Sequence, residues 1–193
     1  MMYSGSKRTE ILIDESNFIN QLHSCTPYLG IRPLKELYRG IENYLNLDPT
    51  FTNHHIYGSI PNYEDNPQQS SLRHRFFEAL KYDYISIHLG YCAMGPNGKM
   101  HEKGVDVNIA LDLVDYSRRA DRIILLSADG DLAEAIRRAK VNAEVICILG
   151  KGTPASTVRS LADRVVNLED ILKVIPEKHL VLKPSKNGYR QAV

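Results

Sequence analysis

The feature that most constrains this chain is a series of short apolar runs, each followed by a longer stretch with helical spacing. The run Glu10-Ile11-Leu12-Ile13-Asp14 reads as a buried strand that ends in an acid. Residues 54–60, 84–89, 122–127 and 144–149 read as further strands, and 165–168 as an edge strand. Between them lie helical patterns: one beginning at residue 15, then 33–45, 70–82, 104–119, 132–141, a short one at 157–164 and a turn or two at 168–174. In the second of these, Leu34, Leu37, Ile41 and Leu45 share one face and Pro33 suits the first turn. In the third, Leu72, Phe76 and Leu80 recur four apart. Strands that alternate with helices in this way join by right-handed crossovers. The expected fold is therefore a three-layer α/β/α sandwich with a mainly parallel sheet.

At 193 residues the chain is long enough for one such domain, expected over residues 8–175. Residues 176–193 hold Lys178, Lys183, Lys186 and Arg190 among Pro, Ser, Asn and Gly. They are expected to form a basic, flexible tail, free to touch RNA or to do nothing. A net charge of +1 does not mark the whole chain as a nucleic-acid binder, so any such role rests on a local patch. Cys25, Cys92 and Cys147 have neither disulfide-scaffold nor zinc spacing and read as reduced thiols, with Cys147 buried in a strand. The polar N-terminus has no signal-peptide core, and no apolar run reaches membrane-spanning length. A cytoplasmic protein with no membrane partner is expected. Oligomeric state stays open between a monomer and a homodimer.

In an open α/β sheet, ligands collect beyond the carboxyl ends of the strands. Asp14 closes the first strand there. Asp129 and Asp131, in Ser127-Ala128-Asp129-Gly130-Asp131-Leu132, follow the strand at 122–127. Asp106 stands in the first turn of the helix from Gly104, on the stripe of Ile109, Ala110 and Leu113, so it points toward the same rim. Asp112 lies roughly 120° round that helix and, like Asp115, is expected to face solvent. Each acid also has an ordinary role open to it: Asp106 complements the helix dipole, and Asp129 or Asp131 caps a helix. Together, three or four converging carboxylates repel unless a divalent cation neutralises them, and an all-oxygen set suits Mg²⁺ or Mn²⁺.

These residues resemble a family. Ile11-Leu12-Ile13-Asp14-Glu15-Ser16-Asn17 is similar to the opening strand and D-x-x-N of NYN domains. Lys103-Gly104-Val105-Asp106-Val107, followed by Asp112, resembles their K-G-V-D-V helix with its second acid, and Ser127 to Leu132 resembles their S-x-D-x-D-F turn. The likeness runs from about residue 10 to 170 and is closest to the LabA-like (DUF88) branch. It departs at Leu132, where Phe is usual, and at Glu15 and Ser16. The resemblance implies a PIN-like fold and a metal-dependent endoribonuclease that cuts RNA in line, leaving 5′-phosphate and 3′-hydroxyl ends.

On this reading Asp14, Asp106, Asp129 and Asp131 are the catalytic and metal residues. Asn17, Lys103 and Ser127 are the substrate contacts, although Ser127 equally suits a cap. Lys99 and His101 would extend the Lys103 contact along a glycine-rich loop, or stay solvated. Tyr57, Tyr63 and Tyr91 are candidates to stack on unpaired bases. His54 and His55 read as structural or exposed. Two alternatives remain: a non-catalytic RNA-binding or regulatory adaptor on the same fold, and a different acidic-site phosphoesterase.

Overall fold

The computed structural model describes residues 7–95 and 100–184. Its main sheet has seven strands: β1 (Thr9–Asp14), β3 (Thr52–Ile60), β4 (Ile85–Met94), β5 (Met100–Lys103), β6 (Arg122–Leu126), β7 (Glu144–Leu149) and β8 (Arg164–Asn167). Their spatial order is β5-β4-β3-β1-β6-β7-β8, and every pair is parallel except β4 with β5. A small antiparallel sheet joins β2 (Tyr28–Ile31) to β9 (Leu180–Leu182).

Two apolar layers sandwich the main sheet. Ile11 and Ile13 of β1 face α1 (Glu15–Cys25), α2 (Lys35–Leu45), α3 (Pro67–Lys81) and α7 (Leu168–Leu172), with Phe18, Leu37, Ile41 and Phe77 at the centre. Leu12 faces the opposite layer, α4 (Val105–Ser117), α5 (Ala133–Ala139) and α6 (Ser156–Leu161), among Ile109, Leu113, Ile136 and Val158. The three-layer sandwich with a mainly parallel sheet expected from the pattern is the observed fold.

The departures fall at short, half-polar segments. The glycine-rich loop expected around Lys99 and His101 is partly an antiparallel ribbon, β4 with β5, in which Tyr91 pairs Lys103 and Met94 pairs Met100. Gly90 permits the close approach, because a Cβ there would run into the Lys103 carbonyl and the Val105 side chain. Residues 177–182, within the segment expected as a tail, form a 3-10 turn and β9, which pairs with β2. Lys183 continues the tie, its N–H donating to the Pro27 carbonyl at 2.9 Å. Lys99, Lys186 and Arg190 lie outside the described residues.

Candidate functional site

The chain enters the sheet at β1, builds outward through β3 and β4, then crosses to the other side of β1 to lay down β6. The carboxyl ends of β1 and β6 therefore flank a topological switch point, where an open α/β sheet leaves a crevice. Asp14 ends β1 on the pleat face it shares with Leu12, the side covered by α4. Ser127 and Asp129 follow β6 beside it.

Asp14 is 3% exposed and closely held. Its Oδ1 accepts from the Asn17 backbone N–H at 3.0 Å and the Ser16 hydroxyl at 3.2 Å, and its Oδ2 accepts from the Ser127 hydroxyl at 3.0 Å. Three of about four acceptor positions are filled, leaving room for one further donor or ion. Burial pushes its carboxyl up to about 6 and the charge of Asp106 adds to the rise, while the three hydrogen bonds hold it back. Asp106 is exposed at the start of α4, yet its carboxyl is also raised, first by burial and then by Asp129, Asp131 and Glu102.

Asp129 caps the 3-10 turn Gly130–Leu132, its Oδ1 accepting from the Asp131 N–H at 2.9 Å. Asp14 likewise caps α1. The ordinary capping roles are thus filled by acids that also share one rim.

Asn17 and Ser127 act as braces. The Asn17 Oδ1 accepts from the Ala128 N–H and the Gln21 amide, both at 2.9 Å, tying the start of α1 to the loop after β6. Ser127 is fully buried; its hydroxyl donates to Asp14 and accepts from the Asp129 N–H at 3.2 Å. Its direct partners are therefore the Asp14 carboxylate and the Asp129 backbone. Lys103 is exposed on β5, one residue before the glycine that opens α4, and His101 is exposed on the same strand.

Two expectations are corrected. Asp112 does not face solvent: its Oδ2 accepts from the Tyr57 hydroxyl at 2.8 Å and stands 3.1 Å from His88 Nδ1. The helix angle was right, but long side chains from β3 and β4 reach that flank. Tyr57 is wholly buried in this contact and unavailable for stacking, whereas Tyr63 and Tyr91 are exposed. Asp115 is exposed as expected and pairs with Arg118. His54 and His55 are structural, bonded to Glu42 and Glu10 at 2.8 Å. Leu132, where the family pattern has Phe, is buried against α4 and α5, a packing change.

Sequence reasoning missed Glu102 and the Glu15–Arg73 pair. Glu102 Oε1 accepts from the Ser59 hydroxyl at 2.5 Å, and its charge is felt at Asp106. It becomes visible only once 100–103 is known to fold back on β4. Arg73 of α3 grips both oxygens of Glu15 at 2.6 and 2.5 Å and donates to the Ser59 carbonyl. Its guanidinium lies 4.5 Å from the Phe77 ring centroid. The missing Cβ of Gly58 leaves space for the pair.

The donors on this rim are carboxylates, and their mutual repulsion is what a hard divalent cation would relieve. In donor chemistry they fit Mg²⁺ or Mn²⁺. Among the described residues, no three His, Cys, Asp or Glu side chains are yet gathered closely enough to hold an ion as they stand. A cavity of about 610 Å³ lies on the opposite face of the sheet, lined by Phe18, Ile56, Phe76 and Leu80, and meets this rim only at Glu15. Cys147 is buried and its thiol pushed up to about 12 by that burial, which removes it as a nucleophile. Among the described residues, no helix is long and apolar enough to cross a membrane.

Comparison with known proteins adds a family. The NYN domain model matches residues 8–169. A search of curated proteins finds no match. Among solved structures, the chain is similar to a protein of unknown function, VPA0982, from Vibrio parahaemolyticus RIMD 2210633. The TM-score is 0.64 at 18% identity, covering 88% of this chain and 98% of that one. That likeness is one of fold.

Proposed function

The chain belongs to the NYN domain family, and on that premise we propose that it is a ribonuclease dependent on Mg²⁺ or Mn²⁺, hydrolysing RNA phosphodiester bonds at the acidic rim. NYN domains fall within the PIN-like nuclease superfamily and are generally hydrolases. The LabA-like (DUF88) branch is the proposed placement within the family, supported by the run Lys103 to Val107. The observation that carries the reading is electrostatic. Asp14 and Asp106, from separate elements, are each raised in part by neighbouring carboxylates across the switch-point crevice.

In this reading Asp14, Asp106 and Asp129 would hold the ion, with Asp131 joining directly or through water. The ion would lower the pKa of a bound water and offset charge growing on the scissile phosphate. Ser16, Ser127 and the Asn17 N–H keep Asp14 in its ionised orientation. Ser127 acts on substrate through Asp14 rather than by touching it. With its Oδ1 occupied, Asn17 offers Nδ2 to a phosphate oxygen. Lys103, exposed beside Asp106, supplies a point charge to the backbone of the RNA.

The test is cleavage of labelled single-stranded RNA by the purified chain with Mn²⁺ or Mg²⁺. Cutting that stops with a chelator and in Asp14→Asn and Asp129→Asn is expected. Cutting unchanged in both variants rules out this site. RNA binding without turnover across several metals would assign the chain to the adaptor reading instead.

A further inference from the structure

At the opposite end of the same strands lies a polar cavity of about 520 Å³, within the roughly 300–1,000 Å³ of small-molecule sites. Arg8 and Arg119 both line it, with Tyr84, Tyr116, Ser86 and Glu10. Among the described residues neither arginine has an acid within ion-pair distance, although most other arginines do.

Both arginines stand on fixed supports. The Arg8 N–H donates to Asp121 Oδ2 at 2.8 Å, and its carbonyl accepts from the N–H groups of Asp121 and Arg122 at 2.9 and 3.1 Å. The Arg119 guanidinium lies over the Tyr116 ring, 4.5 Å from its centroid. Glu10, the acid in the cavity, is held by Asn53 at 3.1 Å and His55 at 2.8 Å and lies within the field of Arg119, which leaves one negative charge facing two positive ones. Two guanidinium forks with no carboxylate at ion-pair distance are suited to a phosphate, which takes them in bidentate fashion.

Tyr84 adds a second, independent sign. It is 92% exposed, and its φ of +59° is a left-handed conformation costly for a bulky residue. An exposed aromatic ring on a strained backbone, lining the same cavity as two arginines, points to a ligand with a flat face. We propose that this cavity binds a 5′-phosphorylated nucleoside, with Arg8 and Arg119 on the phosphate and Tyr84 stacked on the base. The Ser86 hydroxyl and the free Asn53 Oδ1 are placed to meet the sugar or base edge. Such a ligand exists free or as the 5′ end of an RNA, and the site lies away from the acidic rim.

The test is titration of the full chain, in metal-free buffer, with adenosine monophosphate, adenosine, and a short oligoribonucleotide with and without a 5′-phosphate. Calorimetry gives affinities and amide chemical shifts give the location. The phosphorylated forms are expected to bind at least about tenfold more tightly than their unphosphorylated counterparts. Shifts should centre on Arg8, Tyr84 and Arg119. Arg8→Gln and Arg119→Gln should each weaken binding by about tenfold, and Tyr84→Ala, on an exposed ring, by a few fold. Binding of the mononucleotide alone identifies a free nucleotide; binding of the phosphorylated oligonucleotide alone identifies an RNA end. Either supports the site. Absence of binding, equal affinity for adenosine, or affinity unchanged in both arginine variants overturns it. Because no metal is present, the result is independent of whether the rim cuts RNA.

Discussion

His55 Nδ1 and His88 Nε2 face each other at 3.1 Å, in the middle of a chain of contacts that runs from buried Glu10 to half-buried Asp112. Glu10 accepts from His55 Nε2 at 2.8 Å, and Asp112 Oδ2 stands 3.1 Å from His88 Nδ1 as a charge contact. Glu10, an acceptor, thus fixes a proton on Nε2 of His55. With His55 Nδ1 left as an acceptor, the central contact is a hydrogen bond when His88 carries its proton on Nε2, which a neutral imidazole allows. Tyr57 donates to Asp112, and Tyr116 stands 3.4 Å from His55 Nδ1, tying β1, β3 and β4 to α4.

Burial and the neighbouring His55 push His88 below its ordinary 6.5, against the pull of Asp112. The unfolded chain therefore takes up that proton more readily than the folded one. The contribution of His88 is complete above about pH 6.5 and is lost as pH falls toward the lower folded value. Imidazole nitrogen shifts followed against pH should show His88 titrating below 6.5. His88→Ala should cost about 1–3 kcal/mol in urea unfolding, because Asp112 and His55 each lose a partner. A His88 that titrates above 6.5 contradicts this account.

Asp14 has the opposite sign. Its carboxyl rises from 3.8 to about 6 on folding, so the folded chain binds that proton more tightly. The contribution is present below pH 3.8 and is lost as pH climbs through about 6; at ~1.36 kcal/mol per pH unit it amounts to about 3 kcal/mol. In metal-free buffer, Asp14→Asn should gain on the parent protein as pH rises from 4 to 7, while losing cleavage. A stability difference that stays flat over that range removes the argument.

The Glu15–Arg73 pair is enclosed, at 14% and 21% side-chain exposure. Removing one partner leaves a charge with poor access to water. Glu15→Gln should cost on the order of 2–4 kcal/mol, somewhat less than for a wholly buried pair. Glu15→Leu combined with Arg73→Met should recover much of that loss. A double-mutant cycle measured by urea unfolding reads the coupling, and a value near zero would show that the pair is incidental.

Gly90 sets the position of Lys103 and, through it, the start of α4. Gly90→Ala forces β5 away from β4, because its Cβ would stand 2.8 Å from Val105 Cγ2 and closer still to the Lys103 carbonyl. The expected loss is about 1–3 kcal/mol in stability, with a larger relative loss of RNA cleavage as Lys103 and Asp106 shift. Cleavage preserved in a destabilised Gly90→Ala protein would detach this hinge from the site.

The sequence by itself determined the layers and the acidic motif. Runs such as Ile11-Leu12-Ile13 and Val145-Ile146-Cys147 bury on both faces wherever they are placed, so their strand character and parallel pairing were legible. Asp14, Asp106 and Asp129 stand out in the sequence because Asp14 closes a strand run, Asp129 follows one and Asp106 opens a helix. Tertiary structure alone decided the rest. Strands β2, β5 and β9 are three or four residues long, and their hydrogen bonds depend on a distant partner rather than on their own side chains. The same holds for Asp112 and for Glu102. Helix geometry gave Asp112 its direction, but only the packing of β3 and β4 supplied Tyr57 and His88 to meet it. Only the fold of β5 onto β4 carried Glu102 into the field of Asp106. Local pattern fixes what a residue can do, and long-range packing fixes which groups stand near enough to use it.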